Sequence, residues 1–78
     1  MQLFIYSLKG TLFEGESAQI TLPSEEGEIT VLNNHVPLVT SLKKGIVKVA
    51  TKEGKKDFPV EKGVFQMNKN NKAILLVD

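Results

Sequence analysis

Apolar and polar residues alternate one by one in short runs along this chain, and a turn-forming cluster interrupts every run. A period of two puts successive side chains on opposite faces of an extended strand, whereas a helix needs apolar residues three and four apart. The clearest run is Ser17-Ala18-Gln19-Ile20-Thr21-Leu22. It predicts Ala18, Ile20 and Leu22 on one face, and Ser17, Gln19 and Thr21 on the other. Glu28-Ile29-Thr30-Val31 repeats the pattern with Ile29 and Val31 inward, and Gly45 to Thr51 is rich in the β-branched residues that favour strands. Phe58-Pro59-Val60, Val64 to Met67 and Ala73 to Val77 complete the set. Leu3 to Leu8 is apolar on both faces up to Ser7, which predicts a strand covered on both sides. Ile20, Leu22, Ile29, Val31, Val47 and Val49 are the expected core.

The interruptions are Lys9-Gly10, Glu14-Gly15, Pro23 to Gly27, Asn33-Asn34, Lys43-Lys44-Gly45, Glu53-Gly54, Lys62-Gly63 and Asn68 to Asn71. Glycine and asparagine tolerate the left-handed backbone of tight turns. Lys52-Glu53-Gly54 between two runs reads as a hairpin turn. Pro59 cannot donate a ladder hydrogen bond, so its strand is expected at an edge or bulged there. About eight to ten short strands at this spacing predict an all-β sandwich or barrel. The 78 residues support a single domain, 1–78, with no linker, repeat or low-complexity stretch. There is no cysteine to staple so small a fold, so its 22 Ile, Leu and Val residues must supply the core.

Charge and chemistry narrow the function. The net charge of +1 hides an acidic first half, with Lys9 against five glutamates, and a basic second half, with nine lysines from Lys43 to Lys72. Every cation is lysine. Arginine provides the fork for phosphate and guanine, and its absence argues against nucleic-acid recognition. One alternative remains open: a free-standing β-barrel adaptor that binds an acidic protein or nucleic acid through the C-terminal lysines. No apolar run approaches the roughly 20 residues of a membrane helix. The first residues have no basic stretch and no cleavage signal, which predicts a cytosolic protein and a bacterial or plastid-encoded origin. His35 is the single histidine, and no nucleophile elbow, phosphate loop or dinucleotide fingerprint surrounds it. Glu25, Glu26 and Glu28 suit a solvated loop better than a metal or acid–base cluster. Neither a catalytic site, a metal nor a cofactor is expected.

One segment is more specific: Gly27-Glu28-Ile29-Thr30-Val31-Leu32-Asn33-Asn34-His35-Val36-Pro37-Leu38-Val39-Thr40-Ser41-Leu42-Lys43-Lys44-Gly45. On residue chemistry alone it is compatible with a plain strand, turn and strand. It also resembles the N-terminal domain of the epsilon subunit of bacterial F-type ATP synthases, called delta in mitochondria. That family pattern runs Glu-Gly-Glu, an apolar strand, then Leu-Pro-Gly-His-Ala-Pro-Leu-Leu-Thr-x-Leu-Lys-x-Gly. Here Glu26-Gly27-Glu28, Leu32, His35, Pro37-Leu38, Thr40, Leu42-Lys43 and Gly45 match in order and spacing. Leu12 to Gly15, Pro23 to Gly27, Gly63 to Met67 and Leu75 to Asp78 resemble flanking family segments, so the likeness spans the chain. Asn33-Asn34 departs from the family's Pro-Gly. Asparagine can take glycine's left-handed conformation but lacks proline's stiffness, which predicts a surviving but more mobile turn.

The resemblance implies a flattened sandwich of two antiparallel sheets. It implies a non-catalytic rotor element of the central stalk, at the cytoplasmic face of the bacterial inner membrane and without membrane insertion. Its implied partners are the gamma subunit and the c-ring, and its implied task is to couple ring rotation to ATP synthesis. By motif position Glu28 is the expected c-ring contact, and Ser7, His35 and Thr40 are the expected gamma contacts. The family usually continues into two C-terminal helices that can inhibit ATP hydrolysis and, in some members, bind ATP. Those helix-borne functions are not expected of residues 1–78.

Overall fold

Alternation in the sequence becomes alternation of burial in space. A computed structural model describes residues 1–78 as nine strands: β1 (Gln2–Ser7), β2 (Gly10–Glu16), β3 (Gln19–Ser24), β4 (Gly27–Leu32), β5 (Leu38–Leu42), β6 (Gly45–Thr51), β7 (Gly54–Val60), β8 (Gly63–Met67) and β9 (Lys72–Val77). They hydrogen-bond in the order β2-β1-β9-β8-β5-β3-β6-β7, and β4 pairs with the remaining side of β3. The join between β5 and β3 is a single register pair, Ser24 with Leu42. It is flanked by bonds from Glu25 N to Ser41 O (3.0 Å) and from Lys43 N to Pro23 O (2.9 Å). This thin corner divides the sheet into two layers, β2-β1-β9-β8-β5 and β4-β3-β6-β7. At the opposite edge Phe13 of β2 meets Phe58 of β7 edge-to-face, with ring centroids 6.1 Å apart. The result is the all-β sandwich that the strand spacing predicts.

Fifteen buried apolar residues fill the space between the layers. Leu3, Ile5, Phe65, Met67, Ala73 and Leu75 come from one layer, and Ile20, Leu22, Val31, Val47 and Val49 from the other. Of the six expected core residues only Ile29 is partly exposed, and it packs against the cluster. The Lys52-Glu53 hairpin forms, with Gly54 at a φ of +126°. Pro59 lies on β7, an edge strand, where its missing N–H leaves no partner unsatisfied.

Four details differ from the sequence expectation. Ala18 is exposed and Ser17 is buried, because the strand begins only at Gln19. The Ser17 hydroxyl tolerates burial because its one proton lies between two carbonyl acceptors, Gln19 O (2.8 Å) and Ala50 O (3.2 Å). Glu14-Gly15 is no turn but lies within β2, an edge strand whose exposed outer residues give it no alternating signal. The first strand stops at Ser7, and Leu8 stands 94% exposed in the turn that follows. Finally, β1 and β9 pair in parallel while every other ladder is antiparallel. A parallel pair needs a long crossover, and here the rest of the chain provides it.

Candidate docking surface

The outward faces of the two layers differ in chemistry. In the β1-β9-β8-β5 layer, register aligns Tyr6, Leu76, Val64 and Ser41 in one cross-strand row and Phe4, Ile74, Gln66 and Val39 in the next. Val39 is 70% exposed, Leu76 54% and Val64 44%; Phe4, Tyr6 and Ile74 are half-buried. Phe4 and Tyr6 stack along β1 with centroids 6.0 Å apart, and Lys72 Nζ sits 5.3 Å from the Phe4 ring. A shallow depression of about 480 Å³ at one end of this face is lined by Leu8, Ser41, Val64, Leu76, Lys62 and Asp78. The other layer presents rows of Leu32, Gln19, Ala50 and Lys55, and of Thr30, Thr21, Lys48 and Asp57. That side is mostly polar. The first layer therefore carries a contiguous apolar patch, and contiguous patches on small domains mark sites of association.

The patch was missed at the level of sequence. Its trace is the pair of unbroken apolar runs, Leu3 to Tyr6 and Ala73 to Val77. Each strand is apolar on both faces, but only one face meets the core.

The residues singled out by motif occupy distinct places. Ser7 ends β1, where its hydroxyl accepts from Lys9 N (3.1 Å) and donates to Gly10 O (3.2 Å), so it shapes the β1–β2 turn. Thr40 lies on β5 opposite Phe65, half-buried, with its hydroxyl 3.5 Å from Ser41 O. His35 is exposed in the turn between β4 and β5. Its N–H donates to Leu32 O (3.2 Å), and Nδ1 lies 2.8 Å from Val36 O. A carbonyl at that distance requires the proton on Nδ1, which leaves Nε2 as the ring's uncommitted atom. Ser7 and His35 stand at opposite ends of the layer, about 20 Å apart by the rise of a six-residue strand. The three positions are thus distributed along one layer and do not form a cluster. Glu28 is the second residue of β4, across from Pro23, exposed and close in sequence to Glu25 and Glu26 of the hairpin turn. None of these three carboxylates makes an ion pair, and they assemble with no other side chain into a metal-holding group. The turn before His35 adopts the left-handed conformation at Asn34 (φ 61°), as the substitution of asparagine for glycine predicts.

The fold and its surface define the class: a small β-sandwich with one apolar outer sheet. The model of the family described as "ATP synthase, Delta/Epsilon chain, beta-sandwich domain" matches residues 1–78. The ATP synthase epsilon chain of Dichelobacter nodosus is 36% identical over 77 residues, which cover 99% of this chain and 54% of that one. The chloroplastic ATP synthase epsilon chain of Tetradesmus obliquus is 35% identical over 75 residues, 96% of this chain and 55% of that one. Among solved structures, a chain of the Euglena gracilis mitochondrial ATP synthase (OSCP/F1/c-ring) superposes with a TM-score of 0.91 at 25% identity, covering 99% of this chain and 49% of that one. A chain of the Tetrahymena thermophila mitochondrial ATP synthase central stalk and c-ring superposes at 0.84 with 17% identity, covering 99% and 62%, which speaks to the fold alone. The chain belongs to the β-sandwich domain family of ATP synthase delta and epsilon chains. It spans about half the length of the curated relatives it matches.

Proposed function

We propose that this domain is a non-catalytic rotor element of an F-type ATP synthase, joining the gamma subunit to the c-ring and helping couple ring rotation to ATP synthesis. On this reading it works at the cytoplasmic face of the bacterial inner membrane. The observation that carries the proposal is the apolar outer face of Phe4, Tyr6, Val39, Val64, Ile74 and Leu76. The broad extents of the molecule are 26 by 25 Å. A face of that size matches the order of area, about 800 Å² per partner, of a standard protein interface. Gamma binds this face, with Ser7 and His35 at its two ends; Thr40, opposite the buried Phe65, points to the inner side of β5 and supports the face from behind. A rotor link must transmit torque without yielding, and two layers interlocked through a packed core provide that stiffness.

Glu28 faces the c-ring. An exposed carboxylate without a partner in its own chain can pair with cationic or amide groups on the ring, fixing orientation more than affinity. Glu28→Lys is expected to fold normally and to weaken ring attachment; undisturbed coupling in that variant would remove Glu28 from the contact. Calorimetric titration of gamma tests the docking face. Burial of the apolar patch predicts a negative heat-capacity change, and Val64→Glu is expected to abolish binding while leaving the core intact. Binding unaffected by Val64→Glu would move gamma to another surface.

A further inference from the structure

The turn that carries His35 makes few bonds of its own. Its one backbone bond is His35 N to Leu32 O, which is local. Its long-range anchors are side-chain amides. Asn34 N donates to Asn71 Oδ1 at 2.7 Å, and Asn71 Nδ2 donates to Asn33 Oδ1 at 3.4 Å. Asn33 Oδ1 also accepts from the Met1 nitrogen. Asn71 is itself held fast. Its carbonyl accepts from Gln2 N (3.1 Å), and Asn68 Oδ1 accepts from Asn70 N (2.9 Å) and Lys72 N (3.1 Å) to brace the β8–β9 turn.

The backbone alone does not explain an asparagine at position 71. Its φ of 59° is met more readily by glycine, which pays no penalty there. What asparagine adds is a carbonyl acceptor and an NH2 donor group, and both reach across to residues 33 and 34. We propose that Asn71 is a positioning residue: it latches the His35 turn to the β8–β9 turn and so fixes the imidazole at the rim of the apolar face. The latch substitutes hydrogen bonds between distant loops for stiffness within the turn. Its role in docking rests on the reading of that face as the gamma site.

The test compares Asn71→Gly with Asn71→Asp in the 78-residue chain. Asn71→Gly keeps the left-handed backbone and removes both bonds. Asn71→Asp keeps the acceptor for Asn34 N and loses the donor to Asn33. Amide hydrogen exchange is read at Asn34, with Ile20 and Val49 as core references, and gamma affinity is measured alongside. Asn71→Gly is expected to speed exchange at Asn34 about tenfold, the loss of one hydrogen bond, with core exchange unchanged and gamma binding several-fold weaker. Asn71→Asp is expected to restore most of the Asn34 protection. Unchanged exchange at Asn34, or faster exchange at Asn34 and the core together, would overturn the latch. Faster exchange at Asn34 with full gamma affinity would overturn the positioning role. A wild-type chain that binds no gamma would overturn the docking reading instead, and the exchange comparison would still decide the latch.

Discussion

Two glycines hold positions that no other residue can occupy without a shift. A Cβ on Gly45 would lie 2.7 Å from Pro23 Cβ, at the corner where the chain crosses from β5 to β6 between layers. A Cβ on Gly63 would lie 2.5 Å from the Leu76 carbonyl oxygen, where β8 runs beside β9. A ladder carbonyl cannot retreat as a side chain can. Gly63→Ala is therefore expected to cost about 1–3 kcal/mol, the range for overpacking a close contact, read from the midpoint shift in urea unfolding. A loss under 0.5 kcal/mol would mean that the β8–β9 ladder relaxes freely. Glu28 is the opposite case. It is exposed and unpaired, so Glu28→Lys is expected to change stability by no more than about 0.5 kcal/mol. A larger loss would show that its carboxylate supports the fold and that any effect on the ring is indirect.

At the scale of the element, β3 is the spine of the second layer, pairing with β4, β5 and β6. Ile20, the second residue of that strand, is fully buried and pairs with Val31 on one side and Val49 on the other. Ile20→Ala is expected to cost about 2–4 kcal/mol in the same unfolding experiment, from lost burial and the cavity left behind. A loss below 1 kcal/mol would mean that the layers collapse onto the gap. Strands of this kind were legible in the sequence because one face meets the core and the other meets water, so period two survives at Ile20, Leu22, Val47 and Val49. β2 was hidden because an edge strand with exposed outer residues has no pattern to read. The parallel β1–β9 pair and the β5–β3 corner were hidden because pairing between distant strands leaves no local trace. The exposed positions of His35 and Glu28 followed from their turn and hairpin contexts. The apolar face could not be foreseen, since it exists only once four separate strands align their outward rows.

At the scale of the whole molecule, the proposed function makes one broad face a grip and the sandwich behind it a rigid body. Of the nine lysines of the second half, Lys43, Lys44 and Lys62 fall at one end of the strands, Lys52, Lys69 and Lys72 at the other, and Lys48, Lys55 and Lys56 within β6 and β7, so they do not make a single basic stripe. Association through the apolar patch should therefore depend weakly on salt, whereas binding through lysines would be screened. Leu76, central in the patch and 54% exposed, can carry a charge without entering the core. The most direct test is co-elution of the 78-residue chain with gamma subunit on a sizing column, at low and at high salt, for wild type and Leu76→Glu. The account predicts a stoichiometric complex that survives high salt and is lost in Leu76→Glu, with both proteins equally folded by circular dichroism. No complex with the wild type, or a complex that dissolves at modest salt, would contradict it.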